Sequence, residues 1–165
     1  MILRALAVFL VSAGVAVAAA REDVDFVTAA SLPDEVWQAL GKGNNYAVEA
    51  RINPFYLHGD FDGDGWRDPA VLVKERTSGK HGAALVFKGG KVRIVGAGKD
   101  IGNGTDRLDW MDAWYVEPKG KAHQGAADET PPTLKGDALM VIKTGSASAL
   151  IYWDGSRFRH YQQGD

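Results

Sequence analysis

The feature that most constrains the fold is the acidic segment DFDGDGWRD at residues 60–68, called the acidic loop below. Its four carboxylates repel one another unless a cation or protonation relieves them. Alternate residues of a tight turn point toward one centre, and Gly65 at the sixth position permits the sharp bend. The segment therefore predicts a loop closed around a cation. The predicted ligands are the side chains of Asp60, Asp62, Asp64 and Asp68 and the backbone carbonyl of Trp66.

The donor atoms indicate which cation to expect. All the predicted ligands are oxygen atoms, and this disfavours zinc and copper. Magnesium requires stricter octahedral geometry and keeps more of its water, whereas calcium accepts six to eight oxygens in flexible arrangements. We therefore predict Ca²⁺, with a dissociation constant that can be as weak as the roughly 10⁻⁴ to 10⁻³ M of extracellular modules.

The residues around the acidic loop distinguish it from an EF-hand. An EF-hand has a bidentate Glu at its twelfth position and a helix on each side, whereas the twelfth residue here is Val71 and both flanks have strand character. The stretch GDFDGDGWRDPAVLV instead resembles the calcium loops of FG-GAP repeats, whose apolar positions Phe61 and Trp66 match. The resemblance implies a calcium loop between two strands. The motif occurs once, and a propeller has about four to eight blades, so a complete β-propeller is not expected.

A wider resemblance covers most of the chain after residue 20. A capped helix, NPFYLHGDFDGDGWRD, GAGKDIGNG and a C-terminal IYWDGSRFRHYQQGD follow one another in the sequence. This order is similar to that of small exported bacterial FG-GAP/VCBS-like proteins of unknown function. The resemblance implies export and a calcium loop, and it implies no established activity.

The first twenty residues are typical of a secretory signal peptide. A basic start ending at Arg4 precedes an apolar stretch at residues 5–17 and three alanines at 18–20, which suit signal peptidase. The apolar stretch is shorter than the roughly 20 residues of a membrane helix, although a retained anchor helix is the alternative. We therefore predict a periplasmic or secreted chain from Arg21 onward, with no membrane span after cleavage. The chain has no Cys, so we expect neither disulfides nor lipid attachment through cysteine.

Residues 21–165 are enough for a single domain with one core. Ser31 is predicted to cap a helix with Pro33 in its first turn, which ends at Gly41 and is anchored in the core by Trp37. Residues 108–116 fit either a helical turn or a strand. Strands are predicted from alternation or short apolar runs, at 46–52, 55–57, 70–73, 82–87, 92–95, 138–142, 149–153 and 157–161.

The connections complete the predicted fold. Glycines at 89–90 and the Asp-Gly pair at 154–155 predict two hairpins. Residues 117–136 contain Pro, Gly and charge without an apolar period, and they predict a long mobile loop. The fold class is therefore α+β, mainly an antiparallel β-sheet of seven or more strands with one N-terminal helix.

A second acidic cluster offers an alternative site. Asp106, Asp109 and Asp112 recur every three residues, with Trp110 and Trp114 between and after them. Such residues suit a carbohydrate surface or the acid pair of a glycoside hydrolase. A solvated edge beside buried tryptophans is the favoured interpretation, because spacing alone does not place the acids in one cleft.

The functional prediction is an exported calcium-binding protein that acts as a binding or interaction module of the bacterial envelope. The net charge of −2 and the lack of a basic cluster in the sequence argue against nucleic acid as a partner. The predicted partner is an envelope protein or a glycan. The alternatives are a calcium-dependent glycan hydrolase using Asp109 or Asp112, and a protein whose partner is a second copy of itself. The absence of a catalytic triad pattern favours binding over catalysis.

Overall fold

The structure is a computed structural model that describes residues 26–41, 44–126 and 129–164. The predicted signal peptide, residues 1–20, lies outside these ranges. Within them, no helix combines the length and the hydrophobicity that a membrane crossing requires.

Two short helices begin the described chain, α1 (Phe26–Ser31) and α2 (Asp34–Leu40). The predicted helix corresponds to α2, which ends at Gly41 as expected, and Trp37 is 1% exposed. The prediction that Ser31 caps this helix is wrong, because Ser31 is the last residue of α1 and Pro33 occupies the cap position without a side-chain cap bond. Proline disfavours helical geometry at the residue before it, here Leu32, and this separates the two helices.

The first sheet contains five antiparallel strands, with β3 at its centre. β4 lies along one edge of β3, while β2 and β1 pair with successive halves of the other edge. The predicted strand at 46–52 is shorter than expected, because residues beyond Val48 leave the ladder. The strands are β1 (Tyr46–Val48), β2 (Tyr56–Gly59), β3 (Asp68–Glu75), β4 (His81–Phe87) and β5 (Lys91–Gly96).

The second sheet contains four antiparallel strands in the order β11-β10-β9-β6. Residues 108–116, whose type the sequence left open, form a turn followed by the start of β6. Residues 117–136 are only in part the predicted loop, because β7 and β8 pair within them. The four strands of this sheet are β6 (Ala113–Glu117), β9 (Ala138–Lys143), β10 (Ala147–Trp153) and β11 (Phe158–Gly164), and β7 (Gly120–Lys121) and β8 (Thr133–Leu134) form a separate two-stranded sheet.

The core explains why β3 is apolar almost throughout. Leu72 points into the main core, which joins side chains from both sheets, whereas Val71 and Val73 pack into a second core beneath α2. A strand buried on both faces has no polar alternation. The predicted α+β fold, mainly antiparallel with helix at its N-terminal side, is confirmed, and the described strands form neither a closed barrel nor a propeller.

Candidate metal centre

The acidic loop connects two antiparallel neighbours, β2 and β3. Gly59 and Asp68 are paired across the strands, so the intervening residues leave and re-enter the same sheet. Gly63 and Gly65 adopt positive φ angles of 82° and 87°, which L-residues with side chains rarely adopt. The predicted strand-loop-strand arrangement is therefore present, and the tight turn depends on these two glycines.

Three of the predicted ligands converge in space. Asp60, Asp62 and Asp68 each offer a carboxylate oxygen, and these oxygens lie within 4.8 Å of one another. Asp68 is the first residue of β3, so a rigid strand positions its carboxylate, while Asp60 directly follows β2. Three oxygens at such separations can share one cation as ligands.

Two of these carboxylates have buried oxygens without hydrogen-bond partners in the described parts of the chain. They are Oδ1 of Asp60 and Oδ1 of Asp68, and the whole Asp68 residue is 1% exposed. The other Asp68 oxygen, Oδ2, accepts a bond from the Phe61 backbone N–H at 3.2 Å. An unpaired carboxylate oxygen away from water is costly, since its hydration is lost without replacement. These two unpaired oxygens make the site suitable for a cation, because a cation would supply the partner that they lack.

The electrostatics at Asp68 point the same way. Burial raises the pKa of Asp68 to about 7; the Phe61 N–H opposes this rise, and the charges of Asp62, Asp64 and Asp60 add to it. Without a counter-charge, the surroundings of Asp68 therefore favour its protonated form more than water does. A cation at the convergent oxygens would favour the ionised form.

Asp64 and Trp66 take other positions in the loop. The Asp64 Oδ1 accepts a bond from the Trp66 N–H at 2.7 Å, and the Asp64 N–H donates to Asp62 Oδ1 at 3.2 Å. Asp64 is outside the group of three converging carboxylates. Ligation by Asp64 and by the Trp66 carbonyl stays a prediction. The Trp66 side chain is 54% exposed, with the Lys88 ammonium 5.1 Å from its ring centroid.

Asp137, which the sequence did not indicate, holds the loop from the second sheet. Its Oδ2 accepts a bond from the Asp60 N–H at 2.9 Å, and its own N–H donates to the Asp60 carbonyl at 2.6 Å. Its Oδ1 accepts from the Lys119 N–H at 3.1 Å. Asp137 immediately precedes β9 and therefore ties the acidic loop to the second sheet.

The backbone of the acidic loop also lies very close to the backbone of residues 135–136. A Cβ on Gly136 would lie closer than van der Waals contact to the Asp60 carbonyl oxygen, and a Cβ on Gly63 would lie 2.8 Å from the Lys135 carbonyl oxygen. Both positions therefore require glycine. No local pattern signals this contact, because its two sides are 77 residues apart in sequence.

The second acidic cluster is distributed over separate contacts. Asp106 forms an ion pair with Lys80, while Asp109 pairs with Arg107 at 2.8 Å. The Asp112 Oδ1 accepts from the Thr144 N–H at 2.9 Å, and these bonds lower the pKa of Asp112 to about 2. Each carboxylate thus has its own partner.

The tryptophans of that segment lie on the core side. Trp114 is 4% exposed, and its Nε1–H donates to the Pro54 carbonyl at 2.6 Å. Trp110 is partly buried and packs against the main core. Trp114 therefore packs in the interior instead of presenting a carbohydrate-binding face.

Comparison with models of protein families, with curated proteins and with solved structures gives no match to this chain. The resemblance of the acidic loop to FG-GAP repeats consequently stays a prediction.

Proposed function

We propose that this protein is an exported calcium-binding protein in which one Ca²⁺ stabilises the fold, and that it serves as a binding module of the bacterial envelope. The observation that carries the metal proposal is the pair of buried oxygens without hydrogen-bond partners, Asp60 Oδ1 and Asp68 Oδ1, beside Asp62. Export rests on the pattern of residues 1–20.

The position of the site supports a structural ion. Asp60 directly follows β2, Asp68 begins β3, and Asp137 fixes the loop backbone from the position just before β9. An ion held here would strengthen a junction between the two sheets, and its binding free energy would add to folding stability. A chain without Cys has no disulfides to supply that cross-link.

Binding is favoured over hydrolysis by the contacts of the second acidic cluster. Asp109 is engaged by Arg107, and Asp112 by Thr144 and Lys143. Salt-bridged and hydrogen-bonded acids have lowered pKa values, as seen for both residues. A glycosidase needs one acid whose pKa is raised so that it can donate a proton.

Isothermal titration of the metal-free protein with Ca²⁺ tests the proposal. We expect one ion per chain, weaker binding of Mg²⁺, and loss of binding in Asp68→Asn, which keeps the side-chain volume but removes the charge. Asp100→Asn is the matched control, since Asp100 also lies in a loop and accepts a backbone N–H, from Gly102 at 2.9 Å. Equal titrations for the wild-type protein and Asp68→Asn would refute the site.

A further inference from the structure

A cavity of about 420 Å³ lies between β5, the glycine-rich residues 98–102 and the start of β11. Among the described residues, its walls bring together four cationic side chains from three separate stretches of sequence and one acid. We call it the cationic cleft. The cations are Arg93, Lys99, Arg157 and Arg159, and the acid is Asp100.

Most of this positive charge is not neutralised by neighbouring acids. Within the described ranges, Lys99 and Arg157 have no carboxylate within salt-bridge distance. Arg93 lies over the Trp153 ring, 4.6 Å from its centroid, so it is positioned by an aromatic face instead of an acid. Arg159 is held by Asp154 at 2.7 Å. The cleft is thus a local excess of positive charge on a chain whose net charge is −2.

The floor of the cleft is apolar. Its accessible part is formed by Val92 and Ile94, which are partly buried, and the nearly buried Ile101 and Phe158 complete the lining. Guanidinium groups bind carboxylate and phosphate oxygens through two parallel hydrogen bonds. An apolar floor below such groups suits an oxyanion that is carried on a body with an apolar face.

The cleft continues into a neighbouring cavity of about 590 Å³. The two cavities share Ile101, Gly102 and Arg159, and the second adds Asn103, Glu129, His160 and Gln162. Because Glu129 is an acid, the excess of positive charge belongs to the first cavity. Arg159 therefore lies where the two meet. A ligand longer than one ring is required to occupy both.

From these observations we propose that the cationic cleft binds an acidic oligosaccharide, a chain of sugar rings that bears carboxylate or phosphate groups. The sugar ring supplies an apolar C–H face for the floor, and its acidic groups pair with the guanidinium groups of Arg93 and Arg157. This rests on the binding module proposed above and selects, of the two partners predicted from the sequence, the glycan over the envelope protein; it does not depend on the metal.

The aromatic side chains distinguish this ligand from nucleic acid and from a membrane. Single strands bind where bases stack on accessible aromatic rings, yet Phe158 is buried in the main core and Trp153 is covered by Arg93. In the part of the chain that the structure describes, the large exposed apolar side chains are Trp66 and Tyr115, and neither lines the cleft. The cleft therefore offers neither a base platform nor an apolar surface for membrane insertion.

Titration of the full chain with defined probes tests the inference. Trigalacturonate is the carboxylated sugar probe, and maltotriose with a 6-phosphate on its terminal glucose is the phosphorylated one; maltotriose, inorganic phosphate and oligo(dT) are the comparisons. We expect binding of at least one acidic sugar, weakened by added salt and by about tenfold or more in Arg157→Ala and in Lys99→Ala. Lys91→Ala is the control, since Lys91 is exposed on β5 but does not line the cleft.

Each possible result of these titrations leads to a different conclusion. Which acidic sugar binds identifies the source of the oxyanion. Maltotriose or inorganic phosphate binding as tightly as both acidic sugars would overturn the inference, and so would the absence of acidic-sugar binding or an equal loss in Lys91→Ala. Tighter binding of oligo(dT) with the same dependence on Arg157 would assign the cleft to nucleic acid instead. Calcium binding is measured on the same samples, so loss of the metal site without loss of sugar binding refutes the metal proposal alone.

Discussion

At the scale of single residues, burial sets Asp68 apart from the other aspartates of the acidic loop. Asp68 is placed in β3 with 1% exposure, whereas Asp64 remains in a turn and bonds to its own loop. The same residue type therefore has two roles within five positions. Desolvation raises the free energy of the ionised Asp68, and a cation that restores its coordination offsets that rise.

A pH prediction follows for Asp112, whose carboxylate accepts bonds from the Thr144 N–H and hydroxyl and pairs with Lys143. Its pKa in the folded state is lowered to about 2, below the roughly 3.9 of an unfolded aspartate. The stability it contributes is therefore fully present above the unfolded pKa and is lost as the pH falls through the folded value. Urea unfolding of the wild-type protein and of Asp112→Asn at a series of pH values measures this contribution to stability.

We expect the wild-type protein to be more stable than Asp112→Asn near neutral pH, and the difference to shrink as the pH approaches about 2. The other acids are common to both proteins, so their titration cancels when the two free energies of unfolding are compared at the same pH. A difference that stays constant from neutral to strongly acidic pH would show that the charge of Asp112 contributes nothing.

At the scale of elements, the decisive contact is the one between the acidic loop and residues 135–137. Asp137 bonds both the N–H and the carbonyl of Asp60, and Gly136 allows the two backbones to approach. The backbone of Asp60, at the proposed metal site, is thus held by residues that lead into β9 of the other sheet. Side chains that position ligands in this way affect metal affinity without touching the metal.

Asp137→Ala is predicted to lower calcium affinity by about tenfold or more, because the Asp137 side chain no longer holds the backbone that carries the Asp60 carboxylate. Calcium titration checks this result. Asp100→Ala is the matched control, because it also removes a carboxylate that accepts a loop N–H but lies away from the acidic loop. Unchanged affinity in Asp137→Ala, or an equal loss in the control, would contradict the role given to Asp137.

The sequence predicted those parts of the fold and site that have local causes. Strand-loop-strand geometry at residues 60–68 follows from spacing and glycines, and the anchoring of α2 by Trp37 follows from helical periodicity. The contact of Asp137 with Asp60 has no local cause. Neither does the cationic cleft, whose Arg93 and Arg157 come together only because the two sheets pack. The expected serine cap was wrong for a local reason: Pro33 disfavours helical geometry at the residue before it, so α2 begins after Pro33 and not after Ser31.

At the scale of the whole molecule, two antiparallel sheets share one main core, and the proposed calcium site lies at a junction between them. The acidic loop belongs to the first sheet, and Asp137 precedes β9 of the second. The cationic cleft lies at a second junction, formed by β5 of the first sheet and β11 of the other. Negative and positive charge are therefore concentrated at two places where the sheets meet, on a chain with little net charge.

The central claim is that a bound calcium ion stabilises the junction of the two sheets. Its most direct test is thermal unfolding of the wild-type protein and of Asp62→Asn, each in saturating calcium and in EDTA. At calcium a hundredfold above its dissociation constant the ion adds about 2.7 kcal/mol, which raises the midpoint of a chain of this size by about 5 to 10 °C. We predict this rise for the wild-type protein and little or none for Asp62→Asn. The same wild-type midpoint in calcium and in EDTA would contradict the claim.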